Sequence, residues 1–206
     1  VEFKRLLKIW SKKLVKDIAK EVISWTALVA VALVIALFIN LYVARPSIVS
    51  GSSMCPTLED GDTIIISKIP YILGDIEYGD IVVIDRNTGR ERTFAVEVKE
   101  SLKYNAITQS FVDDSDMQDD IFWIKRVVGL PGDVIEFQDG KFLRNGVVIQ
   151  EDYILTQDVT TYVNGSVVVE EGCLFVMGDN RNGSHDSRFL DEQIEIDHIV
   201  GKLISK

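Results

Sequence analysis

An uncharged apolar stretch is the feature that most limits how this chain can fold. Residues 23–43 read ISWTALVAVALVIALFINLYV, with no charged side chain in 21 residues. As a helix they would be about 32 Å long, which matches the roughly 30 Å hydrocarbon core of a bilayer. Trp25 and Tyr42 stand near the two ends, where amphipathic rings favour the membrane interface. The stretch therefore predicts a transmembrane helix.

Two other interpretations of this stretch are weaker. The core helix of a globular domain seldom runs so long without a charge. A cleaved signal peptide would have a shorter apolar core, followed by small residues at the cleavage site. Here the apolar core is followed by ARPS, in which Arg45 and Pro46 suit cleavage poorly. We therefore favour an uncleaved membrane anchor.

Charge is distributed unevenly between the two ends of the chain. Residues 1–22 carry seven Lys and Arg against three acids, while the whole chain has a net charge of −10. The remainder is then near −14, which argues against a general nucleic-acid binder. Basic flanks of membrane helices are retained in the cytoplasm. We therefore expect a single-pass protein of the cell membrane, with its N-terminus in the cytoplasm and residues 46–206 outside it.

The basic segment 1–22 also has apolar residues at helical spacing, with lysines between them. This pattern predicts a basic amphipathic helix that lies on the inner leaflet of the lipid bilayer. A solvated cytoplasmic tail with accidental periodicity is the alternative. The apolar positions are Phe3, Leu6, Leu7, Trp10, Leu14, Ile18 and Val22.

Short β-rich runs replace the helical pattern after Pro46. They are DTIIIS, GDIVVID, FWIKRVVG, DVIEF, KFLRNGVVI, SVVVEE and CLFVMG, and turn-forming residues separate them. DGKFLRNGVVI in addition predicts a hairpin. We expect a mostly β fold, in which a single N-terminal transmembrane helix is followed by an extracytoplasmic all-β domain at 46–206. The polar, acidic residues 99–120 are expected to form a surface insertion.

Metal and disulfide chemistry have little support in the sequence. The two cysteines, Cys55 and Cys173, and the two histidines, His185 and His198, are scattered along the chain. We therefore expect no metal and no cofactor. One bridge between the cysteines is an alternative, but two unpaired, buried thiols are the interpretation we favour.

A serine-rich turn, SGSSMCPTL at residues 50–58, raises the question of a nucleophile. A serine needs a base to become nucleophilic. His185 beside Asp186 is one candidate, but adjacency in sequence carries no weight because triads assemble from distant positions. Lys125 is the other, since it lies in the apolar run IFWIKRVVG. Burial lowers the pKa of a lysine, and a neutral amine is a competent base. A strand-edge lysine that reaches solvent is the alternative.

Four segments, SGSSMCPTL, YGDIVVI, KRVVGLPGD and MGDNRNGSHDSR, follow the apolar helix in that order. Together they resemble the motifs of bacterial type I signal peptidases (leader peptidases), and the short outer domain resembles the Gram-positive branch most. The resemblance covers essentially the whole chain. It implies a membrane-anchored serine endopeptidase with a Ser/Lys dyad. Such an enzyme cleaves N-terminal signal peptides from secreted preproteins after small-x-small motifs, without a cofactor.

The resemblance also implies roles for individual residues. Ser53 matches the nucleophile, Lys125 the general base and Ser184 the serine that orients the lysine. The N–H of Ser53 matches one oxyanion donor. Some relatives have a serine as second donor where this chain has Gly51, so a backbone group near Gly51, a water and a neighbouring serine hydroxyl stay open. The supporting charged residues are Asp179, Asp186 and Arg188. The substrate-binding positions are Val49, Met54, Leu58, Ile64, Trp123 and Ile124. His185 falls at a variable position and receives no role.

Three other functions fit the sequence less well. A catalytically silent assembly factor on the same scaffold should lack Ser53 or Lys125, and both are present. A membrane-tethered β-domain that binds an outer-surface partner would leave these two residues and Ser184 without a purpose. A self-cleaving repressor also uses Ser/Lys chemistry on a related β-fold, but a transmembrane anchor argues against it.

Overall fold

A computed structural model describes most of the chain. The chain divides into two compact units, Val1–Asn40 and Leu41–Lys206. The predicted surface insertion at 99–120 lies outside the described residues. These are residues 2–74, 76–86, 93, 96, 98, 122–157, 159–161 and 164–206.

The N-terminal end of the chain is helical. Helix α1 runs Glu2–Phe38, and a short π-helix, Ile39–Val43, follows it. Residues 2–43 contain neither Gly nor Pro, so no residue breaks the helix where the tail was expected to give way to the membrane anchor, near residue 22. The stretch Leu14–Val43 is long and apolar enough to cross a membrane.

The remaining described residues are mainly β. Their strands are β1 Arg45–Ile48, β2 Thr63–Ser67, β3 Ile81–Asp85, β4 Phe122–Gly129, β5 Val134–Gln138, β6 Lys141–Arg144, β7 Val147–Val148, β8 Gly165–Val168, β9 Cys173–Met177, β10 Ile194–Glu195 and β11 Ile199–Ser205. Helix α2, Ile69–Leu73, and two 3₁₀ turns, Ser187–Phe189 and Ile196–His198, join them. A mostly β fold after a single N-terminal apolar helix is therefore confirmed.

The strands form two antiparallel sheets. The larger has the order β1-β2-β11-β3-β4-β9-β10 and the smaller has the order β7-β6-β5-β8. In the smaller sheet, Asn145 and Gly146 connect β6 to β7 with φ angles of 54° and 75°. Two successive positive φ angles define the type I′ turn, which Asn-Gly favours because its twist matches the twist of paired strands. The hairpin predicted from DGKFLRNGVVI is thus confirmed.

Strand β11 is a feature that the sequence patterns did not reveal. It lies between β2 and β3, inside the larger sheet, although Gly201 and Lys202 interrupt its apolar run. A Cβ atom at Gly201 would lie 3.2 Å from the carbonyl oxygen of Ser67. Glycine in a strand often marks such a close approach of two backbones. Pairing with both neighbours, rather than local composition, makes this segment a strand.

Apolar side chains from the strands and turns pack into three clusters. One joins the turn after β1 to the larger sheet through Val49, Met54, Leu58, Ile64, Ile66, Ile81, Val83 and Val200. A second includes Val82, Val127 and Val176. The third, which includes Ile135, Phe142 and Phe175, connects the two sheets. Apolar burial of this kind is the main force that holds sheets together, and it fixes β4 between β3 and β9.

Candidate active site

Ser53 lies in the turn between β1 and β2. Gly51 has φ +87°, a backbone conformation that residues other than glycine rarely adopt. Its N–H donates to Asp60 Oδ1 at 2.8 Å, and the N–H of Leu58 donates to the carbonyl of Met54 at 3.0 Å. The side chains of Met54 and Leu58 are only 1% and 0% exposed. The turn is therefore anchored from below by apolar packing, which fixes the position of Ser53.

Lys125 reaches Ser53 from strand β4. Its Nζ lies 3.0 Å from Ser53 Oγ and 3.1 Å from the carbonyl oxygen of Ile124, both at hydrogen-bond distance. The lysine is 3% exposed. Desolvation by burial lowers the pKa of Lys125 to about 8, although the negative charge of Asp186 opposes this shift and the positive charge of Arg188 assists it. A lysine in this state supplies a neutral amine much more readily than one in water.

Ser184 is buried beside the same turn. Its Oγ has no hydrogen-bond partner within the described residues, and the bonds of Lys125 run to Ser53 and Ile124 instead. A Cβ atom at Gly178 would lie 2.3 Å from Ser184 Oγ and 2.4 Å from the carbonyl oxygen of Ser53. Ser184 thus lies near Ser53, with an unused hydroxyl. Its role in orienting Lys125 stays a prediction.

Asp186 and Arg188 form a buried ion pair behind the site. Arg188 Nε donates to Asp186 Oδ1 at 2.7 Å, and the Arg188 side chain also donates to the carbonyl oxygen of Ser184. The N–H of Gly178 donates to the second carboxylate oxygen at 2.9 Å. Charge-assisted bonds of this kind fix geometry well when both partners are desolvated. The pair therefore holds the end of β9 and the loop that carries Ser184 together.

Asp179 belongs to a different ion pair, with Arg126. Arg126 donates to the two carboxylate oxygens at 2.8 and 2.6 Å, and the hydroxyl of Thr57 donates to the same carboxylate. Since Thr57 follows the nucleophile turn and Arg126 lies on β4, Asp179 ties both to the end of β9. Sequence reasoning missed Arg126 and Thr57, because nothing local in the sequence joins residues 53 or more positions apart.

Two further residues in the loop after β9 were also missed. The N–H of Asn180 donates to the carbonyl of Ser53 at 3.0 Å, and its side-chain amide donates to the carbonyl of Ser52 at 3.2 Å. Arg181 is fully buried and paired with the carboxylate of Glu151. The segment GDNR in the sequence was a signal for both, since it places a carboxamide and a guanidinium next to Asp179.

Trp123 lies beside the lysine on the same face of β4. Its ring centre is 5.4 Å from Lys125 Nζ. The alternation of side chains along a strand predicted this shared face. Both basic residues of β4 are largely covered, Lys125 on one face by the turn that carries Ser53 and Arg126 on the other by its contacts with Asp179 and Gly79. His185 contacts Trp123 edge-to-face, and Ser53 meets Lys125 instead of either histidine.

The predicted substrate-binding residues fall into two groups. Ile124 packs against the cluster that joins the turn after β1 to the sheet, and Trp123 is half-buried at the edge of the site. The other four are core side chains of the same cluster, with exposures of 0–3%. Their role in substrate binding stays a prediction, and it requires that they form the floor of a pocket and not its open walls. The four are Val49, Met54, Leu58 and Ile64.

The structure reduces the number of candidates for the second oxyanion donor. The N–H of Gly51 donates to Asp60 Oδ1 at 2.8 Å, so this group is already used. Within the described residues no carbonyl accepts from the backbone N–H of Ser53.

Cys55 and Cys173 are free cysteines, as predicted. Cys173 is buried, but Cys55 is only partly buried, so the expectation that both thiols are buried was wrong for Cys55.

Comparison with known proteins identifies the family. The sequence pattern of the family described as "Signal peptidase, peptidase S26" matches residues 22–205. The chain belongs to this family. It is therefore a hydrolase, a serine peptidase of the type I signal peptidase group, as the four sequence motifs predicted.

Two related signal peptidases agree with this assignment. The chain is 37% identical over 176 residues to a probable signal peptidase I-1 of Synechocystis sp., covering 84% of this chain and 78% of the other. It is 32% identical over 177 residues to signal peptidase I of Bacillus licheniformis, covering 80% and 76%. A solved signal peptidase I from Enterococcus faecalis V583 gives a TM-score of 0.40 at 23% identity, over 63% of this chain and 97% of that one. The expected likeness to Gram-positive enzymes is confirmed, alongside a cyanobacterial relative.

Proposed function

We propose that this signal peptidase is a membrane-anchored endopeptidase that cleaves N-terminal signal peptides from secreted preproteins after small-x-small motifs. Ser53 is the nucleophile and Lys125 the general base. The observation that carries the proposal is the 3.0 Å separation between Ser53 Oγ and a lysine Nζ that is 3% exposed. A buried lysine aimed at a serine hydroxyl is costly to the fold, and such costs are expected at functional sites.

The geometry supports a two-step acyl transfer. Neutral Lys125 takes the proton of the Ser53 hydroxyl while Oγ attacks the scissile carbonyl carbon, which gives a tetrahedral oxyanion. The protonated lysine then donates that proton to the leaving amine as the peptide bond breaks. In the second step Lys125 removes a proton from water, the hydroxide attacks the acyl ester, and Ser53 leaves with the proton returned to it.

Surrounding groups stabilise the charges that form. The backbone N–H of Ser53 is the proposed oxyanion donor, and one such donor is worth about 10²–10³ in kcat. Asp186 favours the protonated state of Lys125, so it stabilises the ammonium ion that develops during attack. The carbonyl oxygen of Ile124 accepts from Lys125 Nζ, which keeps the amine pointed at the nucleophile. Ser184, with an unused hydroxyl nearby, is the proposed second partner of this amine.

The proposed substrate preference follows from the size of the side chains around the nucleophile. Met54 and Leu58 are packed below the turn, and Trp123 stands at the edge of the site. We expect the pockets above these bulky groups to be shallow, which would suit small side chains at the first and third positions before the cut. An extended substrate segment adding as a β-strand would present alternate side chains to such pockets.

The membrane is the second proposed partner. The apolar helix Leu14–Val43 can cross a bilayer, and the excess of lysine before it favours an N-terminus in the cytoplasm. The proposed catalytic domain, residues 46–206, then lies outside the cytoplasm, where secreted preproteins emerge with their signal peptides still in the membrane.

The test is cleavage of a secretory preprotein by the purified full-length chain in detergent, with the cut site mapped by mass spectrometry. We expect a single cut after a small-x-small motif, and none with Ser53→Ala. Ser166→Ala is the control, since its exposed side chain lies on β8 of the smaller sheet, away from the site, and it should retain cleavage. Replacing the substrate's first-position Ala by Phe should stop the cut. Cleavage by Ser53→Ala, or efficient cleavage after Phe, would contradict the proposal.

A further inference from the structure

Three aromatic rings extend from the proposed base towards solvent. The Trp123 ring centre lies 5.4 Å from Lys125 Nζ. The His185 ring meets the Trp123 ring nearly at right angles, with centres 5.6 Å apart. The Phe189 ring stacks on His185 at 5.5 Å and 11°. We call Trp123, His185 and Phe189 the aromatic cluster.

The lysine is buried, whereas the two outer rings of this series are exposed. Lys125 is 3% exposed, Trp123 is half-buried, His185 is exposed and Phe189 is 44% exposed. Trp123 is the ring of the aromatic cluster that lies against Lys125. His185 packs on Trp123 from the solvent side, and Phe189 stacks on His185. Edge-to-face and offset-stacked contacts are the preferred geometries of aromatic pairs, so the observed arrangement restrains the indole.

We propose that His185 is a positioning residue: its ring, backed by Phe189, holds the Trp123 indole against Lys125 and keeps water away from the lysine amine. This inference rests on the proposed roles of Ser53 and Lys125. It differs from the expectation that His185, at a variable position of its motif, has no role.

The charged groups around the aromatic cluster do not take over the role proposed for His185. Asp186 and Arg188 act on Lys125 in opposite directions, and burial outweighs both. The Arg86 guanidinium carbon lies 4.9 Å from the Trp123 ring centre, and that of Arg188 lies 5.1 Å from the Phe189 ring centre. A substitution at His185 leaves these three charged groups, Asp186, Arg188 and Arg86, in place and removes only the ring that supports Trp123.

The first experiment compares the wild type, His185→Ala and His185→Phe as full-length chains in detergent, with kcat/KM on a signal-peptide substrate from pH 6 to 11. His185→Ala lets water reach Lys125, so the ionisation that controls activity should move up by about one pH unit. Activity at pH 7 then falls roughly tenfold, while the alkaline plateau stays near that of the wild type. His185→Phe keeps an aromatic ring and should retain the wild-type profile.

A second measurement does not depend on activity. The chain has three tryptophans, Trp10, Trp25 and Trp123, so replacing the first two by Phe leaves Trp123 as the single fluorophore. In that background, acrylamide should quench Trp123 emission more strongly with His185→Ala than with His185. His185→Phe should restore the lower quenching.

The outcomes separate this inference from the proposed function. If the wild-type profile shows no ionisation between pH 7 and 9, both the inference and the proposed function are overturned, because no desolvated base is then at work. A wild type with that ionisation, combined with an unshifted profile or unchanged quenching for His185→Ala, overturns the inference alone. The inference also fails if His185→Phe behaves like His185→Ala, or if His185→Ala lowers activity equally at every pH.

Discussion

At the scale of the single residue, two opposing influences act on the pKa of Lys125. Desolvation lowers its pKa to about 8 from the usual 10.5, whereas Asp186 alone would raise it. Burial outweighs the attraction because water solvates an ammonium ion far better than a mostly apolar pocket does. The same residue therefore has consequences for both the rate of catalysis and the stability of the fold.

Activity should rise with pH through the ionisation of Lys125. In the proposed mechanism the neutral amine is the active form, so kcat/KM should increase through an apparent pKa of about 8 and level off above it. A pH–rate profile on a small peptide in detergent measures this. A profile that stays level down to pH 5, or one that rises only above pH 10, would show that Lys125 is not a desolvated general base.

Removing the charge of Lys125 should stabilise the folded protein at neutral pH. A lysine whose folded pKa is about 8 and whose usual pKa is 10.5 destabilises the fold by about 3 kcal/mol below pH 8. That cost disappears as the pH rises from 8 to 10.5, because the unfolded chain then loses its proton as well. Lys125→Met should therefore have a higher free energy of unfolding at pH 7, measured in urea. The gain should be about 1–3 kcal/mol, because the loss of two hydrogen bonds offsets part of the removed cost.

The control for this comparison is Lys202→Met. The Lys202 side chain is 25% exposed and paired with Asp80 at 2.7 Å, so its loss should destabilise slightly, by no more than about 1 kcal/mol. The difference between wild type and Lys125→Met should shrink towards pH 10.5. A Lys125→Met chain that is less stable than wild type at pH 7 would contradict the assigned desolvation.

The end of strand β9 is the element that assembles the site. Gly178, Asp179 and Asn180 follow β9 directly, and they contact the nucleophile turn, strand β4 and the loop that carries Ser184. Three segments far apart in sequence are therefore aligned by one short stretch of backbone. This stretch tolerates little added volume.

Gly178→Ala should abolish cleavage. Its Cβ atom would lie 2.3 Å from Ser184 Oγ and 2.4 Å from the carbonyl oxygen of Ser53, and the latter is backbone of the nucleophile itself. Gly146→Ala is the control, since a Cβ atom there meets nothing within 4 Å but the φ is +75°. It should lower stability by about 1 kcal/mol through strain and leave turnover intact. Urea unfolding and a cleavage assay on both variants make the comparison; full activity in Gly178→Ala would refute the packing argument.

The charge asymmetry sets the expected topology at the scale of the whole molecule. Residues 1–22 are basic and the remainder is strongly acidic, and an apolar helix lies between these regions. Retention of positive flanks in the cytoplasm then determines on which side the β-domain is found.

Protease added to intact spheroplasts should digest the chain beyond Pro46 and spare the N-terminal segment. Immunoblots with antibodies against each end distinguish the fragments. Permeabilised spheroplasts are the control, in which residues 1–22 should also be lost. Protection of the β-domain in intact spheroplasts would overturn the topology inferred from the lysines.

Local patterns were enough to predict much of this protein from its sequence. Uncharged length identified the apolar helix, and β-rich runs between turn residues identified most strands, because both depend on neighbouring residues. The turn at Asn145 and Gly146 was predictable for the same reason. Four motifs in order after the apolar helix were sufficient to indicate the family, which the comparison with known proteins confirmed.

Long-range pairing was decided only by the tertiary structure. Strand β11 exists because β2 and β3 lie on either side of it, and Arg126 meets Asp179 because β4 and β9 are neighbours. The contact of His185 with Trp123 likewise joins residues that no sequence period relates. Burial is equally a property of the folded chain: Lys125 has a lowered pKa because strands and turns exclude water from it, and no segment of sequence by itself does so.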